Sequence, residues 1–329
     1  MGVPPVLPLA GGRLVIAHVF PEILNLYGDR GNIATLAQRA RWRGLDVEVR
    51  AVDAEATGGL DDADVIFMGG GQDRQQIAAA RALERLGGTL EDVVGAGASL
   101  VAVCGAYQNL GHSYRSALVG DLAGPGLLDV WTEAPEGATR LVGGVVVELG
   151  PDSPIAAAGR GSATSAGFGG GEETIVGFEN HSGRTFLGPG VRALGRVRTG
   201  NGNNGEDGFE GVLSLPGEGG LAGLRIGTYL HGPLLPRNPH LADFILACAL
   251  GRRGIVVLPP LPDQAEWIAH AAFAERWGAT PSPAGRRYLR PFDGIASAAR
   301  LRPSRGKRRT GPSRAPTGET PRDSDEASR

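Results

Sequence analysis

The chain has almost no cysteine: Cys104 and Cys248 are the only two in 329 residues. That excludes a disulfide framework and a cysteine-built metal cluster, and it fits a reducing compartment. A strong charge of one sign is also lacking. The formal net charge is −2, which argues against a dedicated nucleic-acid binder. No hydrophobic run approaches the length that spans a bilayer. The first ten residues, Met1-Gly-Val-Pro-Pro-Val-Leu-Pro-Leu-Ala10, carry no basic region and are broken by prolines, so neither a signal peptide nor an anchor is expected. Neither a phosphate-binding loop motif nor a metal-ligand cluster occurs, so no cofactor or metal is expected on this chain.

Apolar residues and glycine are abundant. Hydrophobic residues make up 41% of the chain, enough for a proper core, and the length allows one large domain or two modest ones. Most of the glycines read as compositional bias, with a few at motif positions. Strands are expected over 13–20, 45–50, 64–68 and 100–103, with helices over about 32–43, 75–86 and from about 106. That alternation implies βαβ units, a mostly parallel sheet and ligands at the carboxyl ends of its strands. Shorter strands follow over 141–149, 175–178 and 224–229, then helices over 240–250 and 263–277. In the last of these, Trp267, Ile268, Ala271 and Trp277 are expected to pack. Segments 150–173 and 199–208 read as loops. The domain is expected to span 13–278. Residues 279–329 hold few large apolar side chains and read as a disordered tail.

The most informative run is Ser99-Leu-Val-Ala-Val-Cys-Gly-Ala-Tyr-Gln-Asn-Leu-Gly111. An apolar strand ends abruptly at Cys104, Gly105 follows, and a helix can begin there. This is the pattern of a nucleophile elbow, which lifts a side chain above the sheet edge. The first N–H groups of the next helix favour thiolate over thiol, and a thiolate so placed attacks carbonyl carbon. The alternative, a cysteine packed as a small hydrophobe, suits Cys248 in Phe244-Ile-Leu-Ala-Cys-Ala-Leu250. A thiol nucleophile needs a base, and His231 lies just past a strand end in Ile226-Gly-Thr-Tyr-Leu-His-Gly-Pro-Leu-Leu235. His181 is its rival. His18, His240 and His270 read as packing or surface residues, and His112 follows the elbow helix too closely.

Cys104-Gly-Ala-Tyr-Gln followed far downstream by Tyr229-Leu-His231-Gly-Pro resembles the class I glutamine amidotransferases, in their cobyric-acid-synthase-like branch. Four further stretches narrow the resemblance to the GatD-type subunits of lipid II isoglutaminyl synthase. They are Asn25-Leu-Tyr-Gly-Asp-Arg-Gly-Asn32, Gly69-Gly-Gly-Gln-Asp-Arg-Gln75, Phe178-Glu-Asn-His-Ser-Gly-Arg-Thr185 and Gly202-Asn-Asn-Gly-Glu-Asp-Gly208. The resemblance covers about residues 13–275. It implies a class I glutamine-amidotransferase-like α/β three-layer sandwich with a mostly parallel central sheet. It also implies Cys104 as nucleophile, His231 as base, and an oxyanion hole from Gly70 or Gly71 with Gly105. Arg140 would hold the glutamine α-carboxylate. The implied partner is a MurT-type, Mur-ligase-like subunit in a heterodimer. That subunit would bind ATP and any metal and would amidate lipid II with ammonia from L-glutamine. A cytoplasmic chain is implied, reaching the inner membrane face through substrate or partner. An amidotransferase for a corrinoid-type acceptor and a non-catalytic regulatory subunit are the alternatives.

The chain departs from the wider class in two ways. Ala102 and Ala106 replace glycines that usually flank the elbow. More consequentially, His231-Gly232-Pro233 lacks the glutamate two residues after the histidine that orients the imidazole. The GatD resemblance implies an acid supplied by the partner, while Glu179 or Glu206 is the acid expected if this chain supplies its own.

Overall fold

Apolar runs that end at glycine-rich turns become neighbouring strands of one sheet. The structure, a computed structural model, describes residues 12–86, 88–160, 173–215, 222–254 and 258–278. Every described residue belongs to the unit Met1–Asp293. The expected tail over 279–329 lies outside the described residues.

The first half runs β1 (Arg13–Val19), α1 (Asp29–Arg41), β2 (Asp46–Val52), β3 (Val65–Met68), α2 (Asp73–Leu86), α3 (Gly88–Gly95), β4 (Ser99–Val103) and α4 (Gly105–Asn109). The second half begins with β5 (Ser113–Ser116), β6 (Gly120–Ala123), β7 (Val130–Ala134), β8 (Leu141–Glu148), α5 (Pro154–Arg160), β9 (Thr174–His181) and β10 (Arg184–Leu187). It continues with β11 (Gly195–Thr199), β12 (Phe209–Glu210), β13 (Val212–Ser214), β14 (Arg225–Thr228), α6 (Pro239–Gly251) and α7 (Gln264–Gly278).

The central sheet has the order β13-β14-β4-β3-β1-β2. All of its pairings are parallel except that of β13 with β14 at the edge. Strands β3 and β4 are buried at every position, as the unbroken apolar runs require of strands covered on both faces. The parallel α/β architecture is thus the expected one. Two smaller sheets, β10-β7-β5-β6 and β12-β11-β8-β9, gather the short strands of the second half. Among the described residues no helix is long and apolar enough to cross a membrane.

Three local expectations are corrected. Helix α1 begins at Asp29 rather than near Asn32, because Gly28 takes φ 91° and turns the chain into the helix early. The segment expected as a loop over 150–173 contains α5, and its residues 161–172 lie outside the described ones. Helix α7 buries Trp267 and His270, and Trp277 lies against Gly144 of β8, whereas Ile268 is 60% exposed and Ala271 faces out. The inward stripe therefore follows the 267-270-277 face of the helix.

A buried ion cluster ties α1 to the segment before α7. Arg39 donates to both oxygens of Asp243 (2.8 and 2.7 Å) and of Asp263 (2.7 and 2.9 Å). Arg43 donates to Asp243 at 2.7 Å and to the Pro259 carbonyl at 2.7 Å. Removing one member strands the opposite charge in the interior, which costs about 3–5 kcal/mol. Arg39→Ala should lower unfolding stability by that amount in denaturant titrations, whereas surface Arg115→Ala should change it by less than about 1 kcal/mol.

Candidate active site

The parallel pairing of β14 with β4 sets Thr228 beside Val103, so the two segments that leave these strands emerge together. Cys104 donates its N–H to the Thr228 carbonyl at 2.8 Å, and its own carbonyl accepts from Gln108 N–H at 3.0 Å. Between these anchors Cys104 is held at φ 50°, ψ −104°. A non-glycine residue in that region costs about 1–3 kcal/mol and persists only where its surroundings over-determine it. The strand–Cys–Gly–helix turn expected from sequence is therefore a true elbow, although α4 is only five residues long. Tyr107 on α4 packs against Gly227 of β14, where a Cβ would fall 2.2 Å from its ring.

His231 leaves β14 three residues after its end and is pinned by a two-way backbone bridge to Phe178 of β9 (2.7 and 3.3 Å). The chain then turns at Gly232, which has φ 93° and whose carbonyl accepts from Arg237 at 2.6 Å. The best measure of the site is Gly70. A Cβ there would lie 2.8 Å from His231 Cε1 and 3.4 Å from Cys104 Cβ. The thiol-bearing residue and the imidazole thus border the same small space beside Gly70, with Cys104 Cβ and His231 Cε1 no more than about 6 Å apart.

The neighbouring amides are arranged unequally. Gly70 donates its N–H to Asp29 Oδ2 at 2.8 Å, while the Gly71 N–H has no acceptor among the described residues. Gly105 sits directly on the Gly71 peptide, since a Cβ at Gly105 would be 3.0 Å from Gly71 N. Of the two loop glycines expected to serve an oxyanion, Gly70 has its donor engaged elsewhere and Gly71 has it available beside Gly105.

The electrostatics of His231 follow from its burial. The ring is 0% exposed, and its pKa is lowered to about 3 by burial first, then by His181 and by Arg140. Neither ring nitrogen has a hydrogen-bond partner among the described residues. His231 is accordingly a neutral imidazole with no acid bonded to it among the described residues. The two candidate acids of this chain do not fill that place. Glu179 accepts from Asn201 N–H, Asn201 Nδ2 and Gly202 N–H at 2.7–2.9 Å, and the histidine beside it is His181, at 3.8 Å. Glu206 lies in the loop before β12, with its backbone N–H on Asn204 Oδ1.

Arg140 reaches the same site. It donates through Nε to Asn180 Oδ1 at 2.9 Å and through Nη2 to the Asn180 carbonyl at 3.1 Å. Asn180 Nδ2 donates in turn to Tyr27 Oη at 2.6 Å, and the Tyr27 ring packs edge-on to His231 with centroids 5.0 Å apart. The rival His181 points elsewhere: its Nδ1 pairs with the Gly183 carbonyl at 2.8 Å and its ring stacks on Tyr229. Cys248 is wholly buried, and burial pushes its thiol up to about 12. Among the described residues no group of three or more His, Cys, Asp or Glu side chains could hold a metal ion.

Sequence reasoning assigned no role to Tyr27, Asp29, Asn180 or Glu210. The first three lie inside the quoted motif stretches, which was the available signal. Glu210 carried none. It is fully buried, pushed up to about 8 by that burial, and accepts from Thr228 Oγ1 at 2.7 Å and Tyr229 N–H at 2.8 Å, fixing the segment that leads to His231.

Residues 15–239 match the family model of the CobB/CobQ-like glutamine amidotransferase domain. The chain is 38% identical over 267 residues to subunit GatD of the glutamine-hydrolysing lipid II isoglutaminyl synthase of Staphylococcus aureus (strain N315), a match covering 80% of this chain and 96% of that protein. It is 32% identical over 241 residues to the GatD subunit of Streptococcus pneumoniae (strain ATCC BAA-255 / R6), covering 73% of this chain and 82% of that one. Cobyric acid synthase of Nocardia farcinica (strain IFM 10152) is 29% identical over 208 residues, which are 61% of this chain but only 34% of that enzyme. An elbow cysteine close to a strand-end histidine, together with these matches, means that the chain belongs to the CobB/CobQ-like glutamine amidotransferase family, on its GatD branch.

Proposed function

We propose that this chain is the glutaminase subunit of a two-chain lipid II isoglutaminyl synthase. The observation that carries the reading is that Cys104 and His231 both border the space beside Gly70, within 3.4 and 2.8 Å of a Cβ placed there. His231 takes the thiol proton as the Cys104 sulfur attacks the glutamine carboxamide carbon. The Gly71 and Gly105 N–H groups receive the oxyanion. His231 returns the proton to nitrogen as the C–N bond breaks and ammonia leaves. Water, activated by the same imidazole, then cleaves the γ-glutamyl thioester to glutamate and restores the thiol. The ammonia would pass to a MurT-type partner that uses ATP to activate the D-glutamate α-carboxylate of lipid II, giving D-isoglutamine. Coverage of almost the whole length of a GatD subunit, against a third of a cobyric acid synthase, supports the lipid II acceptor over a corrinoid one.

The direct test is covalent capture. The glutamine analogue 6-diazo-5-oxo-norleucine should label Cys104 and leave Cys248 unmodified, as read by peptide mass spectrometry. Labelling that survives Cys104→Ala overturns the assignment.

Arg140 supplies a second check. A guanidinium suits bidentate binding of the glutamine α-carboxylate, and its hydrogen bonds to Asn180, which itself donates to Tyr27 beside His231, support that role. Arg140→Ala should raise the glutamine KM and lower kcat/KM by roughly tenfold to more than a hundredfold, from a lost contact of about 1.5–3 kcal/mol. Unchanged glutamine kinetics would place the clamp elsewhere.

A further inference from the structure

The first turn of α1 takes no part in the reaction described above, yet it touches both of the loops that do. Asp29, 1% exposed, reaches the loop after β3 and accepts the Gly70 N–H at 2.8 Å. It is packed so tightly there that a Cβ at Gly69 would fall 2.5 Å from Asp29 Oδ2 and 2.4 Å from the Leu24 carbonyl. Asn32, also 1% exposed, reaches the loop after β14, where its Oδ1 accepts Leu235 N–H at 2.9 Å. Its Nδ2 faces Asp29 Oδ1 at 3.5 Å, which joins the two anchors. Between them Gly31 lets the helix approach Pro233, whose ring would be 3.0 Å from a Cβ at that position.

Three consecutive glycines have wide backbone freedom, and nothing in their own chemistry decides which amide faces the thiol. A carboxylate is a strong acceptor for a backbone N–H and sets the plane of the peptide that donates to it. Burying one is costly, and burial raises the Asp29 pKa to about 7 despite the N–H donors around it. A side chain that only filled space would not need to be an acid.

We propose that Asp29 is a positioning residue for the oxyanion: by holding the Gly70 N–H it turns the Gly69–Gly71 loop so that the Gly71 N–H, beside that of Gly105, meets the tetrahedral intermediate on Cys104. The proposal rests on Cys104 being the nucleophile and on Gly71 being the loop donor.

The test compares Asp29→Ala, Asp29→Ser and Asp29→Asn in the full-length chain. Three readouts are used: glutaminase kinetics, affinity for glutamate γ-semialdehyde, and the rate of Cys104 alkylation by iodoacetamide. The aldehyde adds to the Cys104 thiol as a hemithioacetal, which places an oxyanion in the hole. Alkylation by iodoacetamide forms none. Ala and Ser cannot reach the Gly70 N–H, so kcat and aldehyde affinity should each fall by about 10²-fold, the scale of one lost oxyanion donor. Glutamine KM and alkylation rate should stay within about twofold. Asn, whose Oδ1 still accepts the Gly70 N–H, should recover most of the loss. Ser keeps the test open where Ala fails to fold. Two results overturn the proposal: wild-type kcat in a folded Ala or Ser variant, or equal losses in alkylation and aldehyde affinity, which mark a general collapse of the elbow. Failure of the underlying reading looks different, because Cys104→Ala would then retain turnover.

Discussion

Alanine in place of Gly70 is expected to cut glutaminase turnover by at least about 10²-fold in a protein that still folds. The added methyl would press on both side chains of the proposed site, 2.8 Å from His231 Cε1 and 3.4 Å from Cys104 Cβ. The first of these distances is shorter than a carbon–carbon contact allows, so something must move. Cys104 cannot easily yield, since both of its backbone polar groups are bonded and its φ is already forced. His231 is also confined, by its backbone bridge to Phe178 and by the Tyr27 ring packed against it. The remaining options are rotation of the imidazole away from the thiol or displacement of the Gly69–Gly71 loop. Either one spoils alignment, and a misplacement of about 1 Å costs on the order of 10²-fold. Gly95→Ala is the control, because nothing lies within 4 Å of its would-be Cβ. Steady-state kinetics and a thermal melt on both variants decide the matter. Wild-type turnover in folded Gly70→Ala would show that this space is not the reaction path.

The parts of this site legible in the sequence are those set by local chemistry. Val103-Cys104-Gly105 announces its turn because a buried strand must end where glycine follows, and β4 does end at Val103. The parallel sheet was legible for the same reason: β3 and β4 are unbroken apolar runs that only a doubly covered sheet can bury. The choice of His231 over His181 depended on its place past a strand end, and the Thr228–Val103 register makes that place adjacent to Cys104. What could not be read depends on contacts between distant segments. Asp29 and Gly70 are 41 positions apart, and Asn180 meets Tyr27 across 153. No periodicity encodes such pairs. The stripe of α7 was misjudged for a related reason. Ile268 is more apolar than His270, but His270 is drawn inward by hydrogen bonds to Thr174 Oγ1 (2.9 Å) and the Arg237 carbonyl (2.8 Å).

The isolated chain should hydrolyse glutamine slowly, and addition of the proposed synthetase partner should raise turnover by about 10²–10⁴-fold, the scale of a properly set general base. The reason lies in the two nitrogens of His231, neither of which has a partner among the described residues. An imidazole without an orienting carboxylate has no fixed tautomer, and nothing stabilises the imidazolium formed when it takes the thiol proton. Burial makes that cation costlier still, as the fall of its pKa to about 3 expresses. Neither of the two candidate acids of this chain bonds to His231: Glu179 accepts three N–H groups of Asn201 and Gly202, and the Glu206 backbone N–H donates to Asn204 Oδ1. A carboxylate from the partner would act in the opposite direction to burial, favouring the charged ring and raising its pKa. The sign of the pH effect follows. In the complex the acid limb of kcat/KM should move to higher pH than in the isolated chain, because His231 must be neutral to act as base and now protonates more readily. Glutaminase assays across pH, with and without partner, read both effects together. Full activity in the monodisperse isolated chain, lost on Glu179→Gln or Glu206→Gln, would assign the orienting acid to this chain and reject the shared triad.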